Sequence, residues 1–292
     1  MEFEADLLNN LLRLSRTLQG GTYLHGSYSH KIINEKKRRD IAVASVADRI
    51  VHRLLYNYLV KLYNQTFLYD VWSCRKNKGL EKCVARVSQI LRRHYGIYIW
   101  RADITKFFQS VDRPKLKQIL ARRITDPSAT ALLREVIDSY SEPGIPIGNL
   151  TSQIFANIYL NEFDRYIVHT LKPLHYLRYG DDFLLFDLNH ENLTKMRTQA
   201  VRFLEQNLRL QVNPKLDKIQ SSKQQLSYLG MDFFANGNYR MARATQSRVR
   251  KALETKNLSC YKSKVDKTLP RRYAKRLLYD YLAQPQRLWE EK

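Results

Sequence analysis

The sequence predicts an α+β fold organised on a ferredoxin-like (split βαβ) sheet, and two observations predict it. The first is an ordered change of apolar period. Strand-like IYIWRADI (97–104) precedes a helix from about Asn149 to His169, and strand-like HYLRY and FLLFDL follow. A second helix then carries Leu193, Met196, Ala200, Phe203, Leu204 and Leu208 at helical spacing, ahead of strand-like LRLQV and LSYLGMDFF. Strand–helix–strand–strand–helix–strand is the order of a split βαβ unit. The second observation is composition. A chain of 292 residues with 44% hydrophobic content can bury a core, so it is not a disordered polycation. Its 50 Lys+Arg against 28 Asp+Glu leave a net charge of +22, which points to a polyanionic partner.

The remaining elements follow in order. Residues 1–20 read as a helix with Leu7, Leu8, Leu11, Leu12 and Leu14 on its apolar face, closed by Gly20-Gly21. KIINEKKRRDIAV (31–43) reads as a hairpin that lifts the basic cluster Lys36–Arg39 at its tip. Helical spacing resumes over Ser45–Tyr63 and Leu80–His94, and residues 113–140 are again helical. Pro143, Gly144, Pro146 and Gly148 form a turn-rich loop before the helix at Asn149. From about Ala235 the chain reads as helical, strongly basic and poor in large apolar residues. Cys74, Cys83 and Cys260 form no CxxC pair, which predicts a reduced setting and no zinc site. No signal peptide and no membrane-length apolar run is visible, so a cytoplasmic protein without membrane attachment is expected.

LRYGDDFLLF (177–186) places two adjacent carboxylates inside an apolar stretch. A tight turn at Gly180 would project Asp181 and Asp182 from one sheet edge. Asp103 ends the IYIWRADI strand; if the two strands are neighbours, Asp103 and Asp181 converge on a site for two divalent cations. Magnesium suits oxygen ligands combined with substrate phosphates.

ADITKFFQSVD (102–112), GIPIGNLTSQIFANIYLNEFD (144–164), YGDD (179–182), LRLQVNPK (208–215) and SYLGMDFF (227–234) resemble, in order, motifs A to E of reverse transcriptases. KRRDIAVASVADRIVHRLL and SCRKNKG resemble the fingers motifs of the same enzymes. The resemblance implies a right-hand polymerase with a split βαβ palm, fingers of helices and a hairpin, and a short basic helical thumb. It divides the chain into an N-terminal and fingers region (1–98), the motif A strand of the palm (99–112), connecting fingers helices (113–145), palm motifs B to E (146–234) and a thumb-like segment (235–292).

It also assigns roles. Asp103, Asp181 and Asp182 match the catalytic aspartates, with two Mg²⁺, replaceable by Mn²⁺, and the Ile104 carbonyl as a further metal contact. Phe108 matches the steric gate against a ribose 2′-OH. Arg38 and Arg39, with Lys36 and Lys37, match the fingers cations that grip the dNTP triphosphate. Ile147, Gly148, Gln153 and Lys215 complete the dNTP set, with Lys215 or Lys218 as the proton donor to pyrophosphate. Nucleic-acid contacts fall to Arg75, Lys78, Tyr179, Gly230, Arg248, Arg250 and Lys251. The sequence departs from the family pattern at Gly180, Leu216 and Asn77.

IGNLTSQ, SCRKNKG and DRIVH look most like the reverse transcriptases of diversity-generating retroelements. That implies copying of a template RNA into cDNA with errors at adenines, for bacterial, archaeal or phage-encoded mutagenic retrohoming, beside a small basic helical accessory protein. A stand-alone antiviral or group II-like reverse transcriptase is the alternative. A non-enzymatic RNA-binding protein on the same fold is the third reading, and it predicts degraded metal ligands.

Overall fold

The computed structural model describes residues 2–34 and 38–254; the side chains of Glu2, Glu4, Asn34 and 250–254 are not among the described ones. Lys36, Lys37, the side chains of Arg250 and Lys251, and the distal part of the basic segment therefore lie outside the described residues. The chain clusters into two units, Met1–Asn77 with Ile99–Ile219, and Lys78–Tyr98 with Gln220–Lys292.

The first unit opens with α1 (Glu2–Ala5) and α2 (Leu7–Gln19). The leucine face of α2 is largely exposed: Leu14 is buried, while Leu7, Leu8, Leu11 and Leu12 are open to solvent. β1 (Ser29–Asn34) and β2 (Arg38–Val43) form the expected antiparallel hairpin, with Asn34 opposite Arg38. α3 (Val46–Tyr63) starts where the Ser45 hydroxyl accepts from the Asp48 backbone N–H, satisfying an otherwise orphaned donor.

α4 (Leu80–Arg93) belongs to the second unit. β3 (Tyr98–Asp103) is followed by the one-turn helix α5 (Phe107–Ser110), entered through Lys106 in the left-handed region at φ 45°. α6 (Arg113–Ala121) and α7 (Pro127–Asp138) are capped by Asp112 and Asp126, each followed closely by a proline whose missing N–H costs nothing in the first turn. α8 (Leu150–Tyr166) runs on into a π-helical turn, Ile167–Leu171. This helix is buried nearly all round, from Thr151 to Asp164, because it packs against α3, α6 and later α9.

β4 (His175–Tyr179) and β5 (Asp182–Asp187) form a two-residue hairpin, Tyr179 opposite Asp182. α9 (His190–Leu208) and β6 (Lys218–Ser221) complete the sheet, whose order is β4-β5-β3-β6. That order is the one a split βαβ unit requires, and it sets β3 directly beside β5. Edge-to-face rings lock its core: Trp100 with Phe183 at 5.3 Å and Phe163 with Phe183 at 5.1 Å.

LRLQV is not a strand. Leu208 ends α9, Arg209 turns the chain at φ 54°, and pairing is confined to an isolated bridge between Val212 and Ile104. The second unit contains a three-stranded meander of β7 (Leu226–Tyr228), β8 (Met231–Phe233) and β9 (Tyr239–Met241), then α10 (Arg243–Glu254). LSYLGMDFF is thus two strands split by a turn at Leu229-Gly230. The region after Ala235 begins with a strand and becomes helical only at Arg243.

Candidate active site

The sheet order puts the end of β3 beside the β4–β5 turn, so Asp103 and the YGDD turn share one edge. Gly180 occupies the first central position of that turn at φ 67°, where an L side chain is strained. Asp181 follows it, half-buried, and its carboxyl is pushed up to about 6. Burial is the largest cause and repulsion from Asp103 the next; Arg39 and Arg178 oppose them. Asp182 is likewise raised to about 6 by burial, against the pull of Arg101. Arg101 grips Asp182 in two-point fashion, Nη2 to Oδ2 at 2.9 Å and Nε to Oδ1 at 3.3 Å. Of the two adjacent carboxylates, Asp182 therefore has its own cation, whereas Asp181 is set against Asp103.

Asp103 is held from a third direction. Asn213 donates its side-chain amide to Asp103 Oδ2 at 3.2 Å and its backbone N–H to the Asp103 carbonyl at 2.7 Å. The Lys215 N–H returns to Asn213 Oδ1 at 3.1 Å, so Lys215, exposed, sits on the turn that supports Asp103. The bonds flanking the Ile104–Val212 bridge use the Asp103 carbonyl and the Thr105 N–H, not the Ile104 carbonyl. Among the described residues no group of three His, Cys, Asp or Glu side chains is placed to hold a metal ion. The donor set nonetheless fits magnesium, whose sites use one or two carboxylates completed by water and substrate phosphate.

A second group of residues surrounds the first through backbone bonds. Phe107 is buried and Phe108 half-buried, with ring centroids 5.5 Å apart. The Phe108 carbonyl accepts from Ile145 N–H at 2.8 Å, and a Cβ at Gly144 would lie 2.1 Å from that oxygen. Two residues later the Ile147 carbonyl accepts from Ala42 N–H of β2 at 3.0 Å, while Asn149 Nδ2 donates to the Ala42 carbonyl at 3.0 Å. Gly148, at φ 109°, admits this approach; a Cβ there would come within 2.5 Å of Ile41 Cγ2. The 144–149 loop thereby joins Phe108 to the strand that carries Arg38 and Arg39. Both arginines are exposed, and the Arg39 charge is among those that lower the Asp181 carboxyl. Gln153 is exposed on the first turns of α8.

Other sequence-predicted contacts are placed differently. Arg75 turns inward: its guanidinium donates to the carbonyls of Leu68 (2.7 Å) and Val71 (3.0 Å) and to Asn64 Oδ1 (3.1 Å). Tyr179 and Lys78 are half-buried. In the second unit, Gly230 turns the β7–β8 hairpin at φ 81°, with the Thr245 hydroxyl 3.0 Å from where its Cβ would be. Arg248 donates through Nε to the Ala244 carbonyl at 2.8 Å.

Three supports escaped the sequence reading: Arg101, Asn213, and a buried cluster of Asn157, Asp164 and Arg178. The available signal was a polar residue inside an apolar period. Arg101 lies two positions before Asp103 and so shares its strand face. Arg178 interrupts HYLRY, and Asp164 interrupts the stripe of α8.

Residues 29–233 match the family model described as reverse transcriptase (RNA-dependent DNA polymerase). Protein YkfC of Escherichia coli K12 is 24% identical over 242 residues, covering 66% of this chain and 62% of YkfC. The group II intron-encoded protein LtrA of Lactococcus lactis subsp. cremoris is 22% identical over 170 residues, covering 53% of this chain and 28% of LtrA. The chain thus spans under two thirds of these relatives. Among solved structures, telomerase from Candida tropicalis in complex with a fragment of telomeric RNA has a TM-score of 0.58 at 12% identity. That alignment covers 89% of this chain and 53% of the telomerase chain, and it speaks to fold alone. No described helix is long and apolar enough to cross a membrane. With the matched segment reaching from the β1–β2 hairpin to the end of β8, the chain belongs to the reverse transcriptase family.

Proposed function

We propose that this chain is an RNA-directed DNA polymerase that copies a template RNA from a primer strand using dNTPs, with frequent errors at template adenines, as in a diversity-generating retroelement. The observation that carries the reading is the 144–149 loop, which bonds the gate residue Phe108 on one side and β2 on the other while presenting Ile147 between them. Isoleucine neither donates nor accepts a side-chain hydrogen bond, so nothing polar at this position helps fix the geometry of the nascent pair.

Asp103 and Asp181, with the Ile104 carbonyl, would hold two Mg²⁺; the ions would supply activation of the primer 3′-hydroxyl and neutralisation of the leaving pyrophosphate. The chain's own groups do the rest. Arg101 keeps Asp182 paired, so its charge does not add unopposed to that of Asp181. Arg39 receives the triphosphate, Phe108 excludes a 2′-OH, and Lys215 approaches the leaving group from the Asn213 turn. A small basic helical accessory protein is part of the proposal on resemblance alone.

The test is extension of primed RNA with dNTPs or NTPs, by wild type and Asp181→Ala, followed by sequencing of the products. Extension with dNTPs that Asp181→Ala abolishes supports polymerase activity. Ile147→Gln should lower misincorporation opposite adenine by roughly tenfold, the worth of a single gained hydrogen bond; an unchanged error spectrum removes the retroelement reading. A faithful wild type would favour the group II-like alternative, in keeping with the likeness to LtrA.

A further inference from the structure

Arg178 is fully buried at the penultimate position of β4, just upstream of the candidate catalytic turn. Its Nε and Nη2 donate to the two oxygens of Asp164 at 2.7 and 2.6 Å, and both partners have no exposed side-chain surface. Tyr176 donates its hydroxyl to Asp164 Oδ1 at 2.6 Å. The remaining arm is the informative one. Nη1 donates to the Gly180 carbonyl at 2.9 Å and to Asn157 Oδ1 at 3.2 Å. Asn157 in turn donates to the Ser73 carbonyl at 3.0 Å, while the backbone of Arg178 pairs with Asp70 and Trp72.

One guanidinium therefore ties three pieces together: α8 through Asp164, the 70–73 segment through Asn157, and the turn through Gly180. A buried ion pair of this kind is worth little to stability compared with apolar side chains of similar volume, because desolvation offsets the attraction. What an apolar pair cannot reproduce is the bond to Gly180. That carbonyl belongs to the residue before Asp181, within the two-residue turn between Tyr179 and Asp182.

We propose that Arg178 is a positioning residue for polymerisation: by holding the Gly180 carbonyl against the Asp164–Asn157 cluster, it fixes Asp181 opposite Asp103. The inference rests on the proposed reading of Asp103 and Asp181 as the metal-binding carboxylates. It goes beyond that reading by placing part of the metal affinity in a residue that touches neither metal nor substrate. The effect is selective. Asp182 has its own clamp in Arg101, and the triphosphate grip lies on β2, so neither depends on Arg178.

The experiment uses the full chain on primed RNA with dNTPs, titrating Mg²⁺ in wild type, Asp181→Ala, Arg178→Lys and the combined Arg178→Met/Asp164→Leu/Tyr176→Phe. The combined variant removes both buried charges and the hydroxyl that would lose its acceptor. Its melting temperature should fall by only several degrees, from the Asn157 and Gly180 acceptors left without their donor; its kcat should fall roughly 10–100-fold, and its half-saturating Mg²⁺ should rise by a similar factor, the range for supports of metal ligands. The dNTP KM, read at saturating Mg²⁺, should move less than about twofold. Arg178→Lys keeps the charge but not the fork, so the same Mg²⁺ shift, smaller, is expected even if the combined variant does not fold. Unchanged Mg²⁺ dependence in folded Arg178 variants, with Asp181→Ala inactive, overturns this inference alone. Activity retained by Asp181→Ala removes the reading of the site, and the inference with it.

Discussion

The β4–β5 and β1–β2 hairpins both carry candidate site residues, the first inside a four-stranded sheet and the second as a two-stranded ribbon, and they are built in opposite ways. In the first, β5 is buried along most of its length, and Arg178 bonds the turn from beneath. In the second, Ser29–Ile33 of β1 and the first half of β2 are exposed, and the ribbon is fastened near its base, where Ala42 exchanges bonds with Ile147 and Asn149. On the proposed reading the difference matches what each hairpin would hold. Closely set cations need carboxylates fixed within a fraction of an ångström, whereas a triphosphate that enters and leaves needs long, solvated guanidinium arms.

The sharpest break of this contrast is at the rigid end. Asp103→Ala or Asp181→Ala should lower extension by roughly 10³-fold or more, as removal of a group acting at the reaction centre does. Asp182→Asn should cost far less, about 10–100-fold, because that carboxylate is already neutralised by Arg101. Single-turnover extension at saturating Mg²⁺ separates the two. Equal losses at Asp181 and Asp182 would mean that the Arg101 pair does not set their roles apart.

Gly148→Ala attacks the joint between the two regions. A Cβ would meet Ile41 Cγ2 at 2.5 Å on a backbone at φ 109°, so β2 must shift or the loop must strain. A loss of about 1–3 kcal/mol in stability is expected from such strain, together with a several-fold rise in dNTP KM. The Mg²⁺ requirement should be untouched, since the YGDD turn is supported separately. Arg39→Ala comes next: it should raise dNTP KM about tenfold, the loss of one charge-assisted contact, with no change in melting temperature. Steady-state kinetics with Arg38→Ala alongside tests whether the two arginines share the load.

How much of this was legible in the sequence depended on distance along the chain. Apolar period sufficed for the sheet elements from IYIWRADI to the helix at Leu193, and the turn chemistry of Gly180 was readable because it is local. LRLQV misled because its alternation spans a helix end: Leu208 and Leu210 are both buried, but Arg209 between them reverses the backbone. β9 went unread because Tyr239-Arg240-Met241 is three residues long and buries one side chain. The leucines of α2 satisfied helical spacing while saying nothing of whether that face would be covered. Arg178 was the deepest omission. Its partners lie 14 and 21 residues away on α8, and a lone arginine in a strand does not announce them.

The smallest expected effect concerns a polar cluster at the root of the hairpin region, and it bears on whether that region is held only by its strand bonds. His52 of α3 is buried, with Nδ1 bonded to Thr151 Oγ1 on the first turn of α8 and Nε2 3.0 Å from His25 Nε2. Asp48, bonded by Tyr23 at 2.6 Å and by Ser45, completes the surroundings. Burial, then repulsion from His25, lowers the His52 pKa from 6.5 to about 4, while Asp48 pulls the other way. A depressed histidine binds its proton more readily unfolded than folded. Stability from this group is therefore present above about pH 6.5 and is lost as pH falls towards 4. His52→Gln keeps a side chain able to bond Thr151 and removes the titration. The wild type should be the more stable at pH 7.5 by about 1 kcal/mol, the worth of the second bond, from Nε2 to His25, which the Gln side chain does not replace. Denaturant melts should bring the two together, or reverse their order, by pH 5. A gap that stays constant with pH would show that His52 does not titrate on unfolding, and that the hairpin root is fastened by packing and strand bonds instead.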